Sequence, residues 1–333
     1  MRQATIEGAF GIENIVWREV ADPQPGPGQV LVRIRAASLN YRDYLVAMGR
    51  YNPKMPLPRV PLSDGAGEVI GLGTGVTRFA LGDRVAGSFM QSWLSGPYRE
   101  EYGKSALGGA IDGVLAEQIV FGETGLIAVP SHLSFEEAAT LPCAGVTAWN
   151  ALFENGAIRA GDTVLVQGSG GVSVFALQFA KAAGARVIAT SSHLEKMEKL
   201  RSLGADWVLN YKETPEWGKA IAKAGGVDHV VEVGGAETLE QSLIAVRGGG
   251  KVSVIGILSG VSASLNIAPI LHKHLRIQGI YVGSHSMFES MNRALTQNQM
   301  RPVIDSVYEG AQIQEALRFM ESAGHFGKIV IRL

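Results

Sequence analysis

Apolar and polar positions follow one pattern up to about residue 127 and a different one from Ser134 onward. In the first stretch the apolar residues come in short runs broken by glycine turns. Val30–Arg35 alternates apolar and basic side chains, the period of a strand with one buried face. Glu68–Leu72 and Arg84–Ala86 read as further short strands, set apart by turns at Gly73-Thr74-Gly75 and Gly82-Asp83. Many short strands with glycine turns predict a compact barrel-like domain, entered through the turn-rich connector Pro23–Gly28. Residues 88–112 carry Phe89, Trp93, Tyr98 and Tyr102 without sustained period. They predict a long excursion, either a lid or a surface loop with its own small cluster. Phe89 and Trp93 would then line an apolar pocket or simply pack.

Ser134-Phe135-Glu136-Glu137 is a capping box, in which serine and glutamate satisfy the free N–H groups of a helix start. It predicts a helix carrying Ala138 and Ala139, with a second beginning near Cys143–Thr147. Strands and helices then alternate. The strands are Val164–Val166, Val187–Ala189, Trp207–Leu209, His229–Val233, Val252–Ile255 and Leu275–Tyr281. Glu195–Leu203, Glu216–Ala224 and Thr238–Val246 read as crossover helices between them. Six parallel strands with crossover helices make a doubly wound α/β sheet. Residues 286–299 read as a helix. Lys328–Arg332 reads as a last strand lying beyond that sheet and returning to the first domain.

Composition narrows the picture by exclusion. The 333 residues are 46% hydrophobic and 18% charged, as in an ordinary globular chain with room for two domains. A formal net charge of −1 carries no footprint for nucleic acid or an anionic membrane surface. No apolar run approaches a membrane span, and residues 1–20 lack a signal-peptide core. Cys143 is the only cysteine, which excludes an intramolecular disulfide and a multi-cysteine zinc lobe. The expected setting is the cytosol.

The chemistry concentrates in TVLVQGSGGVSVFALQFAKAAGARVIATSS, residues 163–192. A strand runs into a glycine-rich turn and a helix, the unit in which a helix N-terminus receives a dinucleotide pyrophosphate. Gly168 allows the tight bend, Gly170 lets the backbone approach phosphate, and Gly171 and Val172 open the helix. Ser173 stands where the third glycine of the pattern is usual. At the end of the second strand, an NAD site commonly places a carboxylate on the ribose 2′-OH. Here the residues are Thr190-Ser191-Ser192-His193, followed by Lys196, while Glu195 is expected to point outward. Ser191, Ser192 and Lys196 suit a 2′-phosphate, so NADP(H) is expected over NAD(H).

With these residues in place the chain resembles the medium-chain dehydrogenase/reductase superfamily, and within it the zinc-independent quinone oxidoreductase and enoyl reductase branch. The resemblance runs through PGPGQVLVRIRAASLNYRDYL (25–45), GRYNP (49–53), SDGAGEV (63–69), GDRVAG (82–87), AATLPCAGVTAWNAL (138–152), the glycine turn and its helix (168–185), LGAD (203–206), VLNYKE (208–213) and FGKIV (326–330). It implies a GroES-like β-rich catalytic domain over residues 1–127, completed by 285–333, around a Rossmann NADP(H)-binding domain over 128–284. The active site would lie in the cleft between them. It further implies that Tyr211 contacts the 2′-phosphate beside Lys196, and that Thr147 sits near the nicotinamide. Gly256, Ile257 and the end of the sixth strand (Tyr281, Val282, Gly283) would border the nicotinamide half. The resemblance also implies that Lys328 of FGKIV joins the cofactor contacts and that a homodimer forms through Leu275–Tyr281.

The zinc-dependent branch holds its metal by Cys, His and Cys at positions matching Asn40, Ser63 (followed by Asp64) and Cys143 here. Only Cys143 keeps a ligand type, so no metal is expected. The seven histidines form no ligand cluster. His272 and His274 could share one face of a strand, and a pair without a third ligand is structural. Hydride transfer to a carbonyl, enone or quinone puts negative charge on oxygen, which must be met by hydrogen-bond donors when no metal is present. Asn40 and Tyr51 are the candidates. A tyrosine of ordinary pKa, about 10, is protonated at neutral pH and can deliver a proton. Asp43 reads as a partner of Arg42 or of backbone, and Cys143 as a small buried residue rather than a nucleophile. The expected activity is NADPH-dependent, metal-independent reduction of an α,β-unsaturated carbonyl or quinone. The alternatives are NADP(H)-dependent alcohol or aldehyde oxidoreduction on the same scaffold, and NADPH binding without catalysis.

Overall fold

A strand that is apolar throughout needs cover on both faces, and parallel strands joined by crossover helices obtain it. In the computed structural model, which describes residues 1–333, the chain divides into two compact units, and Thr147–Val282 is the one built this way. Its six parallel strands lie in the order Trp207–Asn210, Arg186–Ser191, Thr163–Gln167, Val227–Glu232, Val246–Val254, Arg276–Gly279. Val164, Leu165 and Val166 are fully buried, and Leu165, Ile188, Val230, Val252 and Leu243 join one core. Thr163–Gln167 pairs with the second strand on one side and the fourth on the other. The sheet order therefore reverses at its C-terminal end, where open α/β sheets take their ligands.

All six expected strands are present. The fifth begins earlier than its apolar run, at Val246, with an irregularity opposite Val227 and His229. The sixth is shorter than expected, Arg276–Gly279, and exposed along its whole length. His272 ends a short helix, Ala268–His272, and His274 sits in the following turn at φ 51°. The two histidines therefore do not share a strand face as expected.

The other unit comprises Met1–Val146 and Gly283–Leu333. Its main sheet runs Ile304–Glu309, Lys328–Arg332, Gln29–Ser38, Asp64–Leu72, Arg84–Gly87, Leu126–Ala128, and Gln118–Gly122 also pairs with Gln29–Ser38. Val30, Val32 and Ile34 are buried while Arg33 faces solvent, as their alternation requires. Gly67 is fixed by close approach: a Cβ there would stand 2.0 Å from the Arg33 carbonyl oxygen across the ladder. Lys328–Arg332 runs parallel to Ile304–Glu309 and antiparallel to Gln29–Ser38, so the last strand does return to the first unit.

The boundary falls after Val146 rather than at the expected 127/128, and the return falls at 282/283. The reason is the capped helix Phe135–Ala139, which packs on the first unit's strands. Its box is formed: Glu137 N donates to Ser134 Oγ (3.1 Å), and Ser134 N to the Glu137 carboxylate (2.7 Å). The Arg84 guanidinium stacks 4.5 Å from the Phe135 ring, and Arg332 pairs with Glu136.

The 88–112 segment is a packed loop with its own aromatic cluster. Trp93 stacks on Tyr102 at 5.9 Å and meets Tyr98 edge-on at 5.3 Å. Phe89 and Trp93 are 1% and 3% exposed, so both belong to packing. The carbonyls of Trp93 and Leu94 accept the N–H groups of His285 and Ser286, tying the loop to the first turn of the helix His285–Asn298. No helix is long and apolar enough to cross a membrane.

Candidate functional site

Within the second unit, Gly168 adopts φ +68°, a conformation that carries little penalty only for glycine, and its N–H donates to Thr190 O across the sheet. Gly170 caps the helix Gly171–Ala182 with an extended backbone, and no acidic residue stands in that helix's first turn. A Cβ built on Gly168 or Gly170 meets nothing within 4 Å, so open space lies before the turn. Helix N-terminal N–H groups facing such a space form an anion cradle, and a pyrophosphate fits it. Ser173 is buried, and its hydroxyl donates to Gln167 O (2.6 Å). The departure from glycine thus ties helix to strand by a hydrogen bond.

At the end of the second strand Ser191 is buried, and Ser192 accepts a hydrogen bond from the Tyr211 hydroxyl (3.0 Å). Tyr211 is 41% exposed. Lys196 lies half-buried in the first turn of the helix Leu194–Ser202. Glu195 is exposed and pairs with Lys199 at 3.0 Å, as expected of an outward acid. The structure therefore brings Ser192 and Tyr211 together at a strand end that bears no carboxylate of its own.

Thr147 is buried at the start of this unit. Val282, its last residue, sits at φ +57°, and its carbonyl accepts from Asn150 Nδ2 (2.7 Å). Gly256 is required by close approach, since a Cβ would lie 2.1 Å from Val233 O, and Ile257 beside it is exposed. Gly283 opens the returning part of the first unit.

Sequence reading missed Glu232. Its fully buried carboxylate accepts from Gly234 N (2.9 Å), Gly235 N (3.0 Å), Thr238 Oγ1 (2.5 Å), Gln167 Nε2 (2.7 Å) and the Ser242 hydroxyl. This network fastens the residue preceding the glycine turn to the loop after the fourth strand. An acid inside the run HVVEVGG was the available signal, because a carboxyl group is retained in a core only when its oxygens are hydrogen-bonded.

In the first unit Asn40 caps the helix Tyr41–Ala47, and its N–H donates to the Asp43 carboxylate (2.8 Å). Asn40 Nδ2 approaches Ser63 Oγ at 3.5 Å, Ser63 donates to Asp64 (2.7 Å), and Asp64 accepts from Cys143 N (3.0 Å). The Lys328 ammonium donates to Leu39 O (2.5 Å) and Asn40 Oδ1 (2.6 Å). Lys328, expected among the cofactor contacts, thus has two of its donors engaged inside this cluster. Arg42 pairs with Asp43 (3.2 Å) and donates to Leu107 O (2.9 Å). Its guanidinium is sandwiched between the rings of Phe89 (4.9 Å) and Tyr51 (5.0 Å). Tyr51 is 40% exposed and rests on that cation. Asp43 is indeed a partner of both Arg42 and backbone.

Burial dominates the electrostatics of the cluster. It pushes the Asp43 carboxyl up to about 6 against the pull of Arg42. It raises Asp64 against Lys328, and lowers Lys328 against Asp64. Burial and then the Asp64 charge push the Cys143 thiol up, which removes any nucleophilic thiolate. Native Asp43 holds a proton between about pH 4 and 6 that the unfolded chain has released, so its contribution to stability falls as pH rises through that window. A shift from 3.8 to about 6 corresponds to roughly 3 kcal/mol. Wild type should therefore lose thermal stability relative to Asp43→Asn as pH rises from 4.5 to 7.5. Parallel melting curves that keep a constant separation would refute it.

The donor set does not suit zinc. One amide oxygen is held by an ammonium and one hydroxyl is spent on a carboxylate, which leaves a single thiol and no imidazole. No group of three or more His, Cys, Asp or Glu side chains is placed to hold a metal ion.

Two family models match the chain: the alcohol dehydrogenase GroES-like domain over residues 26–131 and the zinc-binding dehydrogenase domain over 171–297. A zinc-type alcohol dehydrogenase-like protein of Schizosaccharomyces pombe is 43% identical, covering 100% of this chain and 99% of that one. An acryloyl-coenzyme A reductase of Metallosphaera sedula is 31% identical over 94% of this chain and 95% of its own. Among solved structures, a putative alcohol dehydrogenase of Sinorhizobium meliloti superposes with a TM-score of 0.93 at 42% identity, covering 100% of this chain and 98% of that one. The two units are thus a GroES-like and a Rossmann domain.

Proposed function

We propose, from the premise that this chain belongs to the medium-chain dehydrogenase/reductase superfamily, that it is an NADPH-dependent, metal-independent reductase of α,β-unsaturated carbonyls or quinones. The observation that carries the reading is the cluster around Asn40, Ser63 and Cys143, the positions that match the ligands of the zinc-dependent branch, where an amide, a hydroxyl and a lysine ammonium stand hydrogen-bonded in place of a Cys-His-Cys ligand set. The Metallosphaera relative, named for reduction of an enoyl thioester, supports the substrate class.

Bound nicotinamide would supply the hydride. The turn Gly168, Gly170, Gly171 and Val172 binds pyrophosphate with backbone N–H groups. Ser192, Tyr211 and Lys196 receive the 2′-phosphate. Asn40 Nδ2 donates to the substrate oxygen that gains charge, and the Tyr51 hydroxyl delivers the proton that completes reduction at the α-carbon or the hydroquinone oxygen. Arg42 beneath the Tyr51 ring holds it in place.

The protein acts in the cytosol as a homodimer. Its sixth strand, Arg276–Gly279, offers an open edge, and Leu258, Val261, Ile267 and Leu271 expose apolar surface in the segment before it. Light scattering should return twice 35.4 kDa, and a monomer would refute the assembly.

NADPH oxidation by chelator-treated protein, across enones, quinones and saturated aldehydes with NADH in parallel, tests the activity. Turnover of enones or quinones with NADPH preferred is the expected result. Turnover of saturated aldehydes alone would make it an alcohol dehydrogenase. Tight NADPH binding with no turnover would make it a binding protein.

A further inference from the structure

In the Rossmann domain the first strand, Thr163–Gln167, and the fourth, Val227–Glu232, diverge after the backbone pair Val166–Val231. One residue further on, Gln167 pairs with Thr190 on one side and Glu232 with Val254 on the other. The sheet order reverses between these two strands, and a dinucleotide crosses a doubly wound sheet at that crevice. The glycine turn leaves Gln167 on one side of it, and Val233-Gly234-Gly235 leaves Glu232 on the other.

Where the ladder stops, two buried side chains span the gap. Gln167 is 5% exposed and Glu232 is 0%. Gln167 Nε2 donates to Glu232 Oε2 (2.7 Å) and Ser242 Oγ (2.8 Å), and Gln167 Oε1 accepts from Val233 N (3.2 Å) and Gly234 N (3.3 Å). A backbone N–H cannot accept, so the amide has one permitted orientation. Glu232 Oε1 takes the remaining donors, Gly234 N, Gly235 N and Thr238 Oγ1. The main chain of Gln167 is tied as well, its carbonyl accepting from Ser173 in the helix Gly171–Ala182.

We propose that Glu232 is a positioning residue for the dinucleotide: through Gln167 it staples together the two loops that border the crevice, fixing its width and the aim of the glycine-turn N–H groups at the pyrophosphate. This rests on the nucleotide-binding part of the reading above. The staple acts on a ligand that crosses the crevice. Ser192 follows the second strand and Tyr211 the third, both on the other side of the first strand from Glu232, so the 2′-phosphate half does not depend on it.

Glu232→Gln tests the staple at a single atom. The new amide keeps an oxygen on the backbone N–H groups and turns N–H2 against the N–H2 of Gln167. Reversing Gln167 relieves that clash only by setting its N–H2 against Val233 N and Gly234 N. The NADPH dissociation constant should rise about tenfold, the weight of one net hydrogen bond. That of adenosine 2′-phosphate, which has no pyrophosphate, should stay within about twofold. The exchanged pair, Gln167→Glu with Glu232→Gln, presents the same donors and acceptors in reverse, and Ser242 still gives one proton and receives one. It should restore NADPH binding to within about threefold of wild type, a recovery that mere loss of stability does not produce. Unchanged NADPH binding in Glu232→Gln, an equal loss of both ligands, or an exchanged pair no better than Glu232→Gln would overturn the proposal. Should Glu232→Gln not fold, the exchanged pair decides: it should fold and bind NADPH as stated, and its failure overturns the staple. Hydrogen exchange at residues 233–235 without nucleotide gives a readout independent of binding. It should quicken in Glu232→Gln and recover in the exchanged pair, and an unchanged rate refutes the staple. If wild type binds neither ligand while the exchange responds, the nucleotide reading fails and the staple stands.

Discussion

Gly170→Val is expected to abolish tight nucleotide binding while leaving the fold intact. Gly170 sits at φ −75° and ψ 175°, open to any L-residue, and an added Cβ meets nothing within 4 Å. The protein has no packing reason to require glycine there. A branched side chain would nonetheless stand over the first N–H groups of the helix Gly171–Ala182, in the space a pyrophosphate needs. Losing two or three charge-assisted hydrogen bonds should raise the NADPH dissociation constant by at least about 100-fold, or roughly 3 kcal/mol. The melting temperature should move by only a few degrees. Gly168→Val makes the contrast, because φ +68° strains a β-branched residue and should cost stability as well as binding. Calorimetric titration and melting of both variants check the pair. A Gly170→Val protein that binds NADPH normally would remove the turn from the cofactor site.

Ser192→Asp is expected to reverse the nucleotide preference. The Tyr211 hydroxyl that donates to Ser192 Oγ can donate equally to a carboxylate, so the local structure survives. A carboxylate there accepts a ribose 2′-OH and repels a 2′-phosphate. Two like charges about 4 Å apart near a surface repel by up to about 4 kcal/mol, and Tyr211 is at once withdrawn from the phosphate. The ratio of kcat/KM for NADPH over NADH should fall by 100- to 1,000-fold. Measuring both nucleotides in the variant and the parent decides it, and an unchanged ratio would show that the 2′-phosphate is bound elsewhere.

The Rossmann half was legible because its strands are buried on both faces. Val164–Val166 and Val187–Ala189 are uninterrupted apolar runs, and each is followed by a helix with a readable face. The GroES-like half was harder. Arg2–Ile6, Ile15–Glu19 and Ile304–Glu309 are short and half-exposed, so their residues mix apolar and polar types without clear alternation. The unit boundary was misplaced because the capped helix Phe135–Ala139 looks like the start of a βα series. Its neighbours, Arg84 and Arg332, are invisible to a local pattern.

The same distinction governs the site. The glycine turn is local in sequence and was found. The Asn40–Lys328 bond joins residues separated by 288 positions, and Lys328 was read as a cofactor contact because no local pattern links the last strand to the cap of the helix Tyr41–Ala47. Glu232 was passed over because a single acid in a core strand says nothing until its donors are seen around it.

The late return of the last strand also sets a timetable for synthesis. Along one edge of Gln29–Ser38, residues 29–33 pair with Gln118–Gly122, while Ala36–Ser38 pair only with Val330–Arg332. The Ser38 hydroxyl and its acceptor, Ile329 O, lie 291 residues apart. At 5–20 residues per second a ribosome needs roughly 15–60 s to cover that distance. Throughout that interval the nascent chain carries a bare strand end, while the inserted Rossmann unit can already fold on its own local contacts. Changes in residues 328–332 should therefore register first as lost expression yield and a heavier demand on chaperones.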